Sequence, residues 1–65
     1  PMMSDYLRAK IMRKNKADFR ALNQMLEEKK PITILALQEK FGFSPSRAAT
    51  AIQNAHLCGI LAPQG

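Results

Sequence analysis

Residues 31–65 read PITILALQEKFGFSPSRAATAIQNAHLCGILAPQG, and they carry the strongest structural signals of the chain. Two short helical patterns flank Gly42, which can adopt the positive φ that ends a helix. The Ser-Pro pair at 44–45 starts the second pattern, because serine caps a helix and proline at the first helical position sacrifices no hydrogen bond. We therefore predict a helix-turn-helix, with helices over 34–41 and 45–58.

The flanks of these two helices carry further signals. Pro31 ends any preceding helix, since the residue before a proline avoids the α region. Thr33 is the expected N-cap of the first helix. Gly59 is the expected residue just past the second helix. We also expect residues 60–61 to form a short strand that Pro63 ends.

Each predicted helix has an apolar side. In the first helix we expect this side to comprise Leu35, Leu37 and Phe41. In the second helix it comprises Ala48, Ala51, Ile52 and Ala55, and the three small alanines would let another helix approach closely.

Residues 4–30 form a basic helical segment. Ser4 is a good cap, and Asp5 in the first turn suits the helix dipole. Apolar residues then recur at helical spacing from Leu7 to Leu26. We predict a break near Asn15, with Asn15 capping a second helix. One unbroken helix is the alternative.

The size of the chain limits it to one domain. It has 65 residues, 46% of them hydrophobic and only 6% aromatic. Chains of this length bury only about 60% of their unfolded surface and are marginally stable alone. We therefore expect an all-α or nearly all-α domain with a tightly packed core. A homodimer formed through the stripe of Leu7, Leu22 and Leu26 would complete so small a core.

Several function classes are excluded by what the sequence lacks. One cysteine, Cys58, allows no internal disulfide and favours a reducing cytoplasm. No apolar run approaches the ~18 residues of a membrane span, and the first residues lack the pattern of a signal peptide, so we expect neither. Pro1 is not a translation start, so we expect residues 1–3 to include a cloning scar.

Neither a cofactor site nor a catalytic site is predicted. His56 and Cys58 are two residues apart, but a structural zinc site needs about four such ligands. One histidine and one cysteine also do not make a set of nucleophile, base and orienting group. We therefore expect a protein that is not an enzyme and holds no metal or cofactor.

The positive charge lies mostly in the first half. The formal net charge is +5, and residues 1–30 hold eight lysines and arginines against four acidic residues. Residues 31–65 hold two against one. A polyanion would therefore be attracted mainly to residues 1–30. The cations expected to contact phosphate are Arg8, Lys10, Arg13, Lys14, Lys16, Arg20 and Lys40, and a merely solvated helix face is the alternative.

The second half resembles the gamma domain of the FtsK/SpoIIIE bacterial DNA translocases, which is a winged helix. The resemblance lies in five motifs of this sequence: Leu37-Gln38, Phe41-Gly42-Phe43, Arg47-Ala48-Ala49, Gly59-Ile60-Leu61, and Pro63 with Gly65. It implies a small stand-alone relative that binds double-stranded DNA, a regulator or accessory factor from a phage or plasmid. Thr50 stands where the family has a second basic residue, and the wing hairpin expected after the last motif is missing.

The second helix is the expected DNA reader. The first turn of a recognition helix meets base edges in the major groove, where arginine commonly binds guanine. Arg47 occupies that turn, although a structural role, such as a bridge to Glu39, is equally open. The full set of predicted DNA-binding residues is Ser44, Ser46, Arg47, Thr50, Gln53 and Asn54.

A protein-interaction module that reuses the same fold is the alternative function. A recognition helix with a single arginine has little positive charge for binding DNA. Under this alternative, the contact surface would be the alanine-rich face of the second helix together with the stripe from Leu7 to Leu26. The module would serve in oligomerisation, or as an inhibitor or adaptor.

Overall fold

The computed structural model describes residues 4–61, and within them the protein is all-α. The four helices are α1 (Asp5–Lys14), α2 (Lys16–Glu27), α3 (Ile34–Phe41) and α4 (Pro45–Leu57). The predictions made for residues 1–3, Pro63 and Gly65 fall outside the described residues. Within residues 4–61 no helix has the length and apolar character needed to cross a bilayer.

The break between α1 and α2 lies at Asn15, as predicted. Its backbone has φ −117° and ψ 40°, which is not helical. The expected cap, however, does not form: the Asn15 side chain donates a hydrogen bond backwards, to the carbonyl oxygen of Ile11 at 2.9 Å. Asn15 thus closes α1 and starts α2 without capping it.

The other helix ends confirm the local signals. The hydroxyls of Ser4, Thr33 and Ser44 each accept a hydrogen bond from the backbone N–H three residues later, at 3.0–3.2 Å. Such caps satisfy one of the donors that a helix start leaves unpaired. Gly42 ends α3 with φ +72°, and Gly59 follows α4 with φ +74°. Both positions favour glycine because it has no Cβ.

The core lies where α4 packs against both α2 and α3. Its largest fully buried side chains are Leu22 and Met25 of α2 and Leu37 of α3. Because the facing side of α4 is alanine, the helix backbones can approach closely, and the buried rings of Phe19 and Phe43 complete the core. The buried alanines of α4 are Ala48, Ala51 and Ala55.

Helix α1 differs from the other three because none of its residues is buried. Ile11 and Met12 are half-buried and pack against the core from its edge. Leu7 is 47% exposed. The apolar pattern of α1 therefore attaches it to the body, but the helix contributes little to the interior.

One prediction about an apolar face is wrong. Leu35 is 62% exposed and does not join the core. Two residues apart on a helix are separated by about 200°, so Leu35 cannot share a face with the buried Leu37. Leu26 is also exposed, whereas Leu22 is fully buried. The stripe of Leu7, Leu22 and Leu26 thus combines one fully buried leucine with two partly exposed ones, and a homodimer formed through it stays a prediction.

The predicted strand at residues 60–61 does not form. The N–H groups of Ile60 and Leu61 both donate to the carbonyl oxygen of Ala55, at 2.9 and 3.3 Å. The chain after Gly59 thus folds back on the end of α4, where both side chains pack against the core. A strand needs a partner strand for its backbone groups, and within residues 4–61 there is none.

Candidate nucleic-acid interface

The outward face of α4 is polar, and Arg47 is its one permanently charged residue. Ser46, Thr50 and Gln53 are exposed, and Asn54 is half-buried. These positions face outward because the buried alanines of α4 fix the rotation of the helix about its axis. The face therefore presents hydroxyl and amide groups, which can hydrogen-bond to base edges or to phosphates.

Ser44 serves first as a structural cap. Its hydroxyl oxygen accepts the backbone N–H of Arg47 at 3.2 Å. The residue is exposed, and the hydroxyl hydrogen remains available as a donor. Ser44 can therefore cap α4 and donate to a phosphate at the same time.

Arg47 is bound within the molecule. Its Nε and one terminal nitrogen donate to Oδ1 of Asp18, at 2.9 and 2.7 Å. The guanidinium also lies over the ring of Phe43, 3.9 Å from the centroid. Asp18 belongs to α2 and Phe43 to the turn before α4, so Arg47 joins α2 to the start of α4. The structural alternative had named Glu39 as the partner, and that detail is wrong.

The Arg47–Asp18 pair is only partly open to water. The Asp18 side chain is 15% exposed, whereas that of Arg47 is 48% exposed. The guanidinium is thus partly open to solvent, while two of its five N–H donors are held by the carboxylate. A base or phosphate that recruited Arg47 would have to compete with Asp18 and with the Phe43 ring.

Lys40 is also paired within the molecule. Its ammonium and that of Lys30 both contact Glu28, just after α2. Hydrogen bonds donated by Lys40 and then by Gln24 lower the pKa of the Glu28 carboxyl to about 2. The bond to Glu28 in turn raises the pKa of Lys40. Lys40 therefore ties α3 to the end of α2, which leaves it less available to phosphate than predicted.

The cations of α1 and the first half of α2 behave differently. Arg8 is paired with Asp5 at 3.1 Å. The next five take part in no ion pair within residues 4–61, and all five are exposed: Lys10, Arg13, Lys14, Lys16 and Arg20. They follow one another along the chain with a single acidic residue, Asp18, which is engaged by Arg47. This surface, called below the basic surface, carries most of the unneutralised positive charge.

Tyr6 is a candidate that the sequence analysis missed. It is 71% exposed, and with Lys10, Arg13 and Lys14 it lines a shallow depression on α1. The signal was present in the spacing, because these residues stand at i, i+4, i+7 and i+8 and so share one helix face.

His56 and Cys58 do not come together as ligands. Cys58 is buried and belongs to the core, whereas His56 is exposed. Within residues 4–61, no three histidine, cysteine or acidic side chains converge in a way that could hold a metal ion. The described residues therefore offer no metal site on which a function could be argued.

The comparisons with known proteins add no relative. No family model matches the chain, and neither a curated protein nor a solved structure matches it. The resemblance to the gamma domain of the FtsK/SpoIIIE translocases therefore stays a prediction. The chemistry of the exposed surfaces is the basis for assigning a function.

Proposed function

We propose that this protein binds double-stranded DNA, with α3 and α4 acting as a helix-turn-helix and the basic surface contacting phosphates. The observation that carries the proposal is the row of five exposed, unpaired cations on α1 and α2. Elsewhere the described cations are largely neutralised by partners. A polyanion would be attracted to the segment whose positive charges are left unpaired.

The arrangement of α3 and α4 supports the duplex as the target. The two helices are joined by the three residues 42–44 and pack on each other. In a helix-turn-helix the second helix lies in the major groove and presents its first turns to base edges. Helix α4 would take that place. Apart from Arg47, its outward face is uncharged, so it would present mainly hydrogen-bonding groups to the bases.

The side chains of α4 would then have different roles in binding DNA. Gln53 is free to bind adenine through two hydrogen bonds, and the methyl group of Thr50 can contact the methyl of thymine. Arg47 holds α4 against α2 through Asp18, and it would bind guanine with its remaining donors or by displacing that carboxylate. This division assigns base readout chiefly to Gln53 and Thr50. Affinity comes chiefly from the basic surface.

The salt dependence of duplex binding tests the proposal. Five phosphate contacts predict a log–log slope of about −4.5 for B-form DNA. We would measure fluorescence anisotropy of a labelled duplex at several salt concentrations. The proposal requires binding at micromolar protein and about 50 mM salt, with affinity falling steeply as salt rises. Absence of binding under these conditions would overturn it.

Base readout by α4 needs a separate experiment. Selection of duplexes from a random pool would define the preferred sequence of the wild-type protein. Replacement Gln53→Ala should then relax one position by about 1–3 kcal/mol of discrimination. Asn23→Ala is a matched control, because Asn23 is an exposed amide residue on α2. An unchanged preference in Gln53→Ala would exclude Gln53 as a base reader.

The alternative function, self-association through a protein-interaction surface, has one observation in its favour. Ile34 and Leu57 are 41% and 51% exposed and border an apolar depression between α3 and α4 that Ala49 and Ile52 also line. The occupant would be a second copy of this chain. Sedimentation of the wild type and of Leu57→Ser would test it. A monomer at all concentrations would contradict this alternative.

A further inference from the structure

We infer that the α1 face formed by Tyr6, Lys10, Arg13 and Lys14 binds single-stranded nucleic acid, with one base stacked on the Tyr6 ring. The inference deepens the proposed function, because the same cations contact phosphate in both cases. It adds a second ligand, an unpaired strand, which has no major groove for α4 to enter. The two proposals are separable, since one depends on an aromatic ring and unpaired bases and the other does not.

The first support is the position of Tyr6 on its helix. The residue is 71% exposed, and no residue of α1 is buried, so the ring does not pack in the core. Tyrosine more commonly buries its ring and leaves only its hydroxyl in water. An exposed ring on a helix surface is available to a flat partner.

The second support is the charge around that ring. Lys10, Arg13 and Lys14 line the same shallow depression as Tyr6, and none of the three takes part in an ion pair within residues 4–61. Grooves that bind single strands combine this kind of positive surface with aromatic rings for the bases. Arginine adds a planar group that can itself stack on a base.

The dimensions of the face fit a short strand. From Tyr6 to Lys14 the helix rises about 12 Å at 1.5 Å per residue. That length corresponds to three or four stacked nucleotides at about 3.4 Å each. One base on the ring and two or three phosphates beside the cations therefore fit on one face of α1.

A duplex does not use this combination. In a duplex the faces of the bases are stacked on one another, and only their edges are open in the grooves. An aromatic ring among the cations would find no base face there. Unpaired bases, in contrast, can stack on aromatic side chains. The ring therefore shifts the preference of this face toward an unpaired strand.

An anionic membrane fits the face less well. Helices that lie in a membrane interface bury a broad apolar face. The depression that holds the cations is lined by one aromatic residue and no aliphatic one, Leu7 beside it is only partly exposed, and Ile11 and Met12 pack against the protein. Vesicles with anionic lipid are accordingly included in the test as a competing ligand.

The intrinsic fluorescence of the protein reports directly on this site. Tyr6 is the single tyrosine, and the chain has no tryptophan. A base stacked on the ring should quench this emission. The probes are oligo(dT) of about 12 nucleotides, within the size range of single-strand sites, an abasic strand of the same length, a duplex, and vesicles containing anionic lipid.

We expect oligo(dT) to quench the tyrosine emission, after correction for its own absorption, and to bind more tightly than the abasic strand. Tyr6→Ala should weaken oligo(dT) binding at least about 5-fold, the equivalent of 1 kcal/mol for one stacked base. Tyr6→Phe, which keeps the ring, should bind like the wild type. Duplex affinity should be the same in all three proteins.

Three results would overturn the inference. These are equal binding of oligo(dT) and the abasic strand, an unchanged oligo(dT) affinity in Tyr6→Ala, and binding to vesicles without binding to oligo(dT). If the duplex binds and oligo(dT) does not, only this inference fails. If oligo(dT) binds through Tyr6 and the duplex does not bind, only the double-stranded function fails.

Discussion

Helices α1 and α4 have comparable lengths and opposite roles. Helix α4 buries three alanines and joins α2 and α3 into one core, but its outward face has almost no free charge. Helix α1 buries no residue and carries three of the five unpaired cations. In this small protein the most positively charged surface therefore belongs to a helix that contributes little to the core. The surface and the core can each be altered without the other.

The largest expected effect comes from the core. Leu22→Ala should destabilise the protein by about 2–5 kcal/mol, because a fully buried leucine loses its contacts and leaves a cavity. Leu7→Ala on α1 should change stability by less than about 0.5 kcal/mol, since Leu7 is 47% exposed. Urea unfolding followed by circular dichroism measures both. Similar losses in the two variants would contradict the separation.

The two serine caps give a matched pair of smaller effects. Ser44→Ala should destabilise the protein by about 1 kcal/mol, because α4 unfolds only with the core. Ser4→Ala removes the same hydrogen bond from α1. It should lower α1 helicity with much less effect on the unfolding midpoint. Equal shifts of the midpoint would show that α1 is part of the cooperative unit.

The link between α2 and α4 is next in size. A double-mutant cycle of Asp18→Asn and Arg47→Gln should give a coupling of about 0.2–1 kcal/mol. The Arg8–Asp5 pair of α1 is the comparison, because its carboxylate is 95% exposed. Its coupling should be near zero. If DNA recruits Arg47, Asp18→Asn should also raise duplex affinity, because the competing carboxylate charge is gone.

The smallest effect is a dependence on acid. The pKa of Glu28 is lowered from 4.5 to about 2 in the folded protein. A lowered folded pKa means that the carboxylate contributes its full stability above pH 4.5 and loses it as the pH falls through 2. Between these values the wild type should lose more stability than Glu28→Gln. Glu39→Gln, which removes an exposed carboxylate, is the control, and an identical pH profile in wild type and Glu28→Gln would exclude the effect.

The sequence predicts what local chemistry determines. The caps at Ser4, Thr33 and Ser44 and the glycine at Gly42 each depend on neighbouring residues, and all four were predicted. The break at Asn15 is equally local, although the direction of its side-chain hydrogen bond was not foreseen. Such features need no knowledge of what packs against the helix.

Other features depend on packing between distant segments. The partner of Arg47 is 29 residues away, and no periodicity in the sequence connects it with Asp18. Leu35 was placed in the core on hydrophobicity alone, although its angle to Leu37 excludes a shared face. The pairing of Lys40 with Glu28 likewise required the relative position of α2 and α3. Tyr6, in contrast, could have been found from its spacing to the cations of α1.

The most direct test of the separation between core and charge is the salt dependence of duplex binding by a triple variant, Lys10→Gln, Arg13→Gln and Lys14→Gln. Glutamine keeps a similar helix propensity, so the unfolding midpoint should be nearly unchanged. Three lost phosphate contacts should reduce the log–log slope by about 2.7. The double variant Arg8→Gln and Lys30→Gln, which removes paired cations, should change the slope much less. An unchanged slope in the triple variant would contradict the role assigned to α1.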